Sequence, residues 1–265
     1  MKNILLLVHE DRGQEARLQA ALDLARSLDG HIRCADVTPL PVFPIDGGWA
    51  TGLALTESRK LEFELRERLD LRLANEGVSY DWTDDIGDIA RCLANQSRLS
   101  DLIIFNCKHG EVFDRETRGA LGDLLVEARC PIVAVPDNAV GLNVTGPAIV
   151  AWDGSEPAAV ALRAVTPLLK LARSVRLVAV GETADGPSVQ EAAAYLSRHD
   201  VHGKVLMIES AGETPDVHLL RQADIDQAGY CVMGAYGHGR LNEKLFGGVT
   251  RRMIGAAKLP LILGR

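Results

Sequence analysis

Short, unbroken apolar runs alternate along this chain with stretches whose apolar residues recur every three to four positions. Residues 4–8 form the first run; polar residues follow, and then an amphipathic stretch over 15–28. Further runs lie at 31–37, 102–105 and 128–135, and again at 148–152, 175–180, 230–233 and 257–263. They lack the apolar–polar alternation of a strand with one wet face. Runs of this length, set between helical stretches, predict strands of a parallel sheet covered on both sides. Weaker runs at 78–82 and 204–208 complete five strands in each half, and helices are predicted over 15–28, 57–76, 156–172 and 251–258.

The second half repeats the first, with four matched segments in matched order. In the last pair a small, a basic and an apolar residue lead to Pro131 in one copy and Pro260 in the other, each just before a strand. The repeat divides the chain into domains over 1–138 and 139–265. A connector over 136–146, rich in Pro, Asp, Asn and Gly, is too short to let them drift apart. The halves are expected to pack together and bury the last strand of each.

The halves differ in chemistry. The run at 230–233 leads directly into Gly234, with Gly237 and Gly239 after it and the pair Gly247, Gly248 further on. Glycine leaves the backbone bare, so N–H groups can approach a ligand closely. At a helix start the free first-turn N–H groups and the helix dipole together favour an anion. Two glycine-flanked approaches around one hollow suit a polyphosphate; two ordinary loop turns are the other reading, since glycine spacing alone is a weak signal. The first half has Asn106 in place of Gly234 and His109 near the position of Gly237, so its backbone is not bare. If one half binds a ligand, it is expected to be the second. There Asp153, Gly154 and Ser155 follow the first strand, where the first half has His9, Glu10 and Asp11. They serve either a ligand or a turn and helix cap. An insertion over 38–49 carries prolines and paired glycine that argue against helix or central strand. Its Val42, Phe43, Ile45 and Trp49 cover either a partner surface or the chain's own core.

Composition narrows the classes. A chain of 265 residues suits two domains better than one. With 47% hydrophobic but only 5% aromatic residues, the cores must be built from Leu, Val, Ile and Ala. A net charge of -7 argues against nucleic acid or an anionic membrane as partner. Arg251 and Arg252 form a local basic pair that reads first as a solvated helix face and second as a phosphate contact. Cys34, Cys92, Cys107, Cys130 and Cys231 contain no C-x-x-C pair and predict reduced core thiols of a cytoplasmic protein. Cys107 and His109 lack the companions of a metal site. The run at 4–8 gives way at once to charged residues, unlike a secretory leader, and no apolar segment has the length to span a bilayer.

The triplet Asp153, Gly154, Ser155, the spacing of Gly234, Gly237 and, after nine residues, Gly247, and the prolines Pro131 and Pro260 resemble the universal stress protein family in its tandem form. The resemblance extends over essentially the whole chain. It implies an α/β fold of two tandem flavodoxin-like domains of the adenine nucleotide alpha hydrolase-like type, each a five-stranded parallel sheet sandwiched by helices. One subgroup of the family binds ATP at the glycine motif. Carried onto this chain, the resemblance sets Ala151 and Asp153 against adenine or ribose and the Val180 backbone against adenine. It sets Gly234, Gly237 and Gly239 around the ribose and phosphates. Gly247, Gly248, Val249 and Thr250 would offer N–H groups, and Thr250 a hydroxyl, to phosphates that carry Mg²⁺. Gly248 stands where the family's ATP-binding pattern has Ser or Thr, which removes a hydrogen bond worth on the order of 0.5–1.5 kcal/mol.

The expectation is a cytoplasmic regulatory or sensing protein that holds ATP in its second half, with no nucleic acid or membrane partner. No Walker A run or other dedicated catalytic motif appears. A slow ATP hydrolase stays open, since phosphates ordered near a metal gain from electrostatics alone. So does a scaffold or chaperone-like protein of the same fold that binds no nucleotide. Single-domain relatives form dimers; a tandem chain mimics that pairing internally, and a further homodimer is compatible with it.

Overall fold

Ten strands join edge to edge into one sheet in the computed structural model of the chain. It describes residues 1–39, 48–107, 115–181, 186–235 and 248–265, without the side chains of 48–59, 61–62 and 115–119. The strands of the first half are β1 (Asn3–Val8), β2 (His31–Thr38), β3 (Ser79–Ile86), β4 (Leu102–Cys107) and β5 (Ile132–Pro136). Those of the second are β6 (Pro147–Ala151), β7 (Ser174–Val180), β8 (Gly203–Ile208), β9 (Tyr230–Gly234) and β10 (Leu261–Gly264). The order is β3-β2-β1-β4-β5-β10-β9-β6-β7-β8, so each half contributes the same arrangement read outward from the middle. Pairing within each half is parallel. At the centre β5 meets β10 antiparallel, with Ala134 opposite Leu261, Val133 opposite Ile262 and Ile132 opposite Leu263. The expected burial of both last strands is achieved by backbone pairing, which makes one mixed sheet of two parallel ones.

Helices α1 (Gln14–Leu28), α2 (Gly48–Asn75), α5 (Glu156–Leu169) and α6 (Val189–Ser197) cover one face. Helices α3 (Ile89–Gln96), α4 (Arg115–Glu127), α7 (Pro215–Asp226) and α8 (Gly248–Ala256) cover the other. Successive strand residues point to opposite faces. Leu6, Val133, Val150 and Ile262 therefore pack under the first set of helices, and Leu5, Ile132, Ile149 and Leu263 under the second. That two-sided burial is why the runs are continuous rather than alternating. The weaker runs at 78–82 and 204–208 belong to β3 and β8, the two outer strands, where half the side chains meet solvent.

The connector is packed. Leu142 and Val144 are buried beneath α1 and α5, and the Leu142 N–H donates to Asp23 Oδ2 at 2.9 Å. Several element boundaries differ from expectation, among them α5, which ends at Leu169, and β5 and β10, which start at Ile132 and Leu261. Helix α2 spans Gly48–Asn75 and takes in Trp49 and Gly52, so it covers residues well before 57. Strand β3 continues to Ile86. Helix α8 opens at Gly248 rather than 251 and ends at Ala256. The loop residues 40–47, with Val42, Phe43 and Ile45, lie outside the described residues.

Candidate functional site

Strand β6 has β7 on one side and β9 on the other, so the chain reverses its direction of travel across the sheet at the carboxyl ends of β6 and β9. Such a switch point leaves a crevice in open α/β sheets. Ala151 closes β6, half-buried, and the buried Trp152 extends the ladder by donating its N–H to the Val178 carbonyl at 2.9 Å. Half-buried Asp153 follows; its Oδ1 accepts from the Ser155 N–H at 3.0 Å. Ser155 Oγ in turn accepts from the Ala158 N–H at 3.3 Å and caps α5. The turn-and-cap reading of this triplet is therefore realised.

Val180 ends β7, half-buried, and Gly181 after it donates to the Ile208 carbonyl at 2.8 Å. The chain then returns across the turn after β6. A Cβ on Gly186 would lie 2.0 Å from the Gly154 carbonyl oxygen, and Trp152 Nε1 donates to the Pro187 carbonyl at 2.9 Å. Gly234, at the end of β9, is crowded too: a Cβ there would lie 2.6 Å from Ala158 N and 2.9 Å from the Pro157 carbonyl carbon. The missing side chain lets the first turn of α5 seat directly on the strand end. Ala151, Asp153, Val180 and Gly234 thus stand at one edge of the sheet. Exposed Gly248, half-buried Val249 and buried Thr250 are the first residues of α8, the helix that follows β9 in the chain. Gly237, Gly239 and Gly247, together with Tyr236 and His238, lie outside the described residues.

The same place in the first half is filled. Arg17, on the fourth residue of α1, is 1% exposed. Its Nε donates to the Leu7 carbonyl at 3.0 Å and its Nη2 to the His9 carbonyl at 2.9 Å and Gln14 Oε1 at 2.8 Å. Nη1 donates to both Asp11 carboxylate oxygens, at 3.0 and 2.9 Å, and to Asn106 Oδ1. Asn106 then donates from Nδ2 to the Gly13 and Val135 carbonyls at 3.3 and 3.2 Å. A side chain on Gly13 would collide with Asn106, since its Cβ would fall 2.2 Å from Nδ2. Burial draws the guanidinium below its ordinary pKa, while Asp11 and Asp137 hold it up. The expected loss of bare backbone at Asn106 is accompanied by a cation that occupies the space. Sequence reading missed Arg17, although a signal was there: it shares the apolar face of α1 with Ala21 and Leu24, one and two turns on.

Two more residues bear on the second-half edge. Asp216, buried in the first turn of α7, accepts from Arg252 Nε at 2.7 Å. A Cβ on Gly248 would lie 2.9 Å from Arg252 Nη1. Elsewhere, a groove of about 570 Å³ runs between α1 and the connector, at the amino ends of the second-half strands; its Asp23 is already engaged by Leu142 and Arg26. Burial pushes the Cys34 and Cys231 thiols up to about 12 and those of Cys92 and Cys130 to about 11, and raises Cys107 as well. None is thereby a ready thiolate. Among the described residues no group of three or more His, Cys, Asp or Glu could hold a metal ion. Among them also, no helix is long and apolar enough to cross a membrane.

Neither a family model nor a curated protein matches the chain. Solved structures do. A universal stress protein from Archaeoglobus fulgidus DSM 4304 superposes with a TM-score of 0.77 at 14% identity, over 99% of this chain and 98% of its own. A protein from Pseudomonas aeruginosa UCBPP-PA14, assigned provisionally to the same family, gives 0.60 at 16% identity, over 99% and 92%. A functionally unknown protein from Pseudomonas aeruginosa PAO1 gives 0.59 at 17%, over the same shares. The chain has the fold of universal stress protein structures along its full described length.

Proposed function

We propose that the chain is a tandem universal stress protein whose second half binds adenine nucleotide, ATP with Mg²⁺ on its phosphates, in a regulatory or sensing role. The observation that carries this reading is the contrast between two equivalent switch points. One is filled by Arg17 and Asn106; the other has Gly234 at the equivalent strand end, with the first turn of α5 seated on it. The described residues suit such a ligand. First-turn N–H groups of Gly248, Val249 and Thr250 have no acceptor within their own helix, and the Asp153 carboxylate is half-buried at the crevice. Ala151 and the backbone of Val180 provide the neighbouring strand ends. Binding alone is assigned to these residues, and cytoplasmic location belongs to the same proposal.

A scaffold that binds no nucleotide is the second reading. It is favoured by the internal use of both polar side chains of Asp153 and Ser155, and by the absence of a hydroxyl at Gly248. Isothermal titration of the intact chain with ATP separates the two. Saturable binding to one site per chain supports the nucleotide reading, and no binding at millimolar ATP removes it.

A further inference from the structure

The outer strand of the second half is left barer than its counterpart in the first. Strand registers place Val205 and Met207 of β8 where β3 has Trp82 and Asp84. In the first half α2 closes both positions. Trp82 Nε1 donates to Asp70 Oδ1 at 3.0 Å, Arg66 lies 4.8 Å from the centre of the Trp82 ring, and Asp84 accepts from Arg66. Helix α6 has 9 residues against the 28 of α2, and among the described residues it offers Met207 one polar contact, Gln190 Nε2 at 3.4 Å from Sδ. Met207 stays 64% exposed and Val205 38%.

The backbone of β8 is open as well. It has β7 on one side and no strand on the other. The Ile208 carbonyl accepts from the Gly181 N–H at 2.8 Å on the β7 side. The amides of Lys204, Leu206 and Ile208 therefore face β7, and those of Val205 and Met207 face outward. Natural edge strands discourage pairing with charges or proline. Strand β3 does so with Asp81, Asp84 and Asp85. Strand β8 has neither acid nor proline, and a single lysine, Lys204.

We propose that β8 is the contact through which two copies of this chain associate, each β8 pairing antiparallel with the other about Leu206. A two-fold axis perpendicular to the sheet keeps every side chain on its own face, so a residue meets one of its own parity in number. Centred on Leu206, Val205 of each copy then meets Met207 of the other, and their outward amides exchange hydrogen bonds. Two exposed apolar side chains are matched on one face in a single step. Charge selects the same arrangement. Lys204 near the start of β8 and Glu209 just past its end are both exposed, and neither makes an ion pair among the described residues. Nearby Asp200 and Glu213 are already taken by Lys170 and Arg221. Antiparallel pairing sets each lysine-bearing end beside a glutamate-bearing end, twice by symmetry. The inference is independent of the nucleotide reading.

The test is sedimentation of the intact wild-type chain and of the Met207→Lys, Lys204→Glu, Glu209→Lys and Lys204→Glu/Glu209→Lys variants, from micromolar to submillimolar concentration. Thermal unfolding confirms that each variant is folded. Wild type should dimerise reversibly, and Met207→Lys, at an exposed position, should weaken the dimer about tenfold or more. Each single charge reversal should weaken it, and the double reversal should recover most of the wild-type affinity. Glu209→Lys lowers the net negative charge, so general repulsion between copies would strengthen association where antiparallel pairing weakens it. A wild type that is monomeric throughout overturns the inference. So does a dimer that Met207→Lys leaves intact, or one that the double reversal fails to restore.

Discussion

Asn106 Oδ1 accepts a hydrogen bond from the guanidinium of Arg17, 89 residues away in sequence, and the two side chains together close the carboxyl ends of β1 and β4. Asn106 is the residue that stands opposite Gly234 when the halves are aligned through their strand registers. One position thus separates a filled crevice from one with a glycine at its wall.

Arg17→Ala removes the donor that satisfies the Leu7 and His9 carbonyls and the Asp11 carboxylate together. Asp11 is part-exposed and can be solvated, so losing these hydrogen bonds should cost about 1–3 kcal/mol. Denaturant unfolding should show a lower midpoint, and Arg17→Lys should not restore it, because lysine lacks the fork.

At Gly234, alanine would push its methyl into the backbone of Pro157 and Ala158. Backbone cannot give way as a flexible side-chain end can, so Gly234→Ala should destabilise the chain by about 1–3 kcal/mol. The displaced α5 start should also weaken ATP, seen by comparing titrations at a temperature where the variant is folded.

Thiol chemistry checks the burial of the cysteines. With pKa values raised to about 11 or 12, the thiolate fraction at pH 8 is on the order of one in a thousand or less. Ellman's reagent should react slowly with the native chain, first at half-buried Cys130, and rapidly with all five cysteines in denaturant.

Asp101 joins the starts of two strands, accepting the Lys2 and Asn3 N–H groups at 2.6 and 2.9 Å. Burial pushes its carboxyl up, but those N–H groups outweigh it and the net direction is down from 3.8. A lowered folded value means that the stability it contributes is present above pH 3.8 and is lost as pH falls through the lowered value. Asp101→Asn should reduce stability at pH 7 and flatten the loss below pH 4, measured by denaturant midpoints across that range.

Residues 1–138 or 139–265 expressed alone would expose β5 or β10 as a bare, wholly apolar edge. Such edges recruit other strands. Sedimentation should find each half self-associated, whereas Ile262→Pro in the whole chain should unfold it, since proline cannot donate in a central strand.

Much of the architecture was legible because two-sided burial leaves an unmistakable trace. Runs such as 102–105 have no polar residue to tolerate. The outer strands were harder to read for the opposite reason: β8 leaves Lys204, Val205 and Met207 exposed and Leu206 and Ile208 only half-buried. Helix α2 reaches back to Gly48 and holds Gly52, because glycine's modest helix cost does not by itself end a helix this long. The crevice itself was read from glycines, which announce absence of side chains but not what exploits it. At Gly234 that is α5, and at Gly248 the Arg252 head group. Arg17 was overlooked because a cation on an apolar helix face looks like surface until the strand ends across from it are known.

The antiparallel meeting of β5 and β10 also turns the two crevices away from each other. The carboxyl ends of β1 and β4 and those of β6 and β9 open at opposite poles of the molecule. On the nucleotide reading, a partner that recognised the occupied pole would do so without touching the pole closed by Arg17 and Asn106. The two poles are joined by the backbone seam of three residue pairs, by the connector that bonds to Asp23 and by the core shared between the halves.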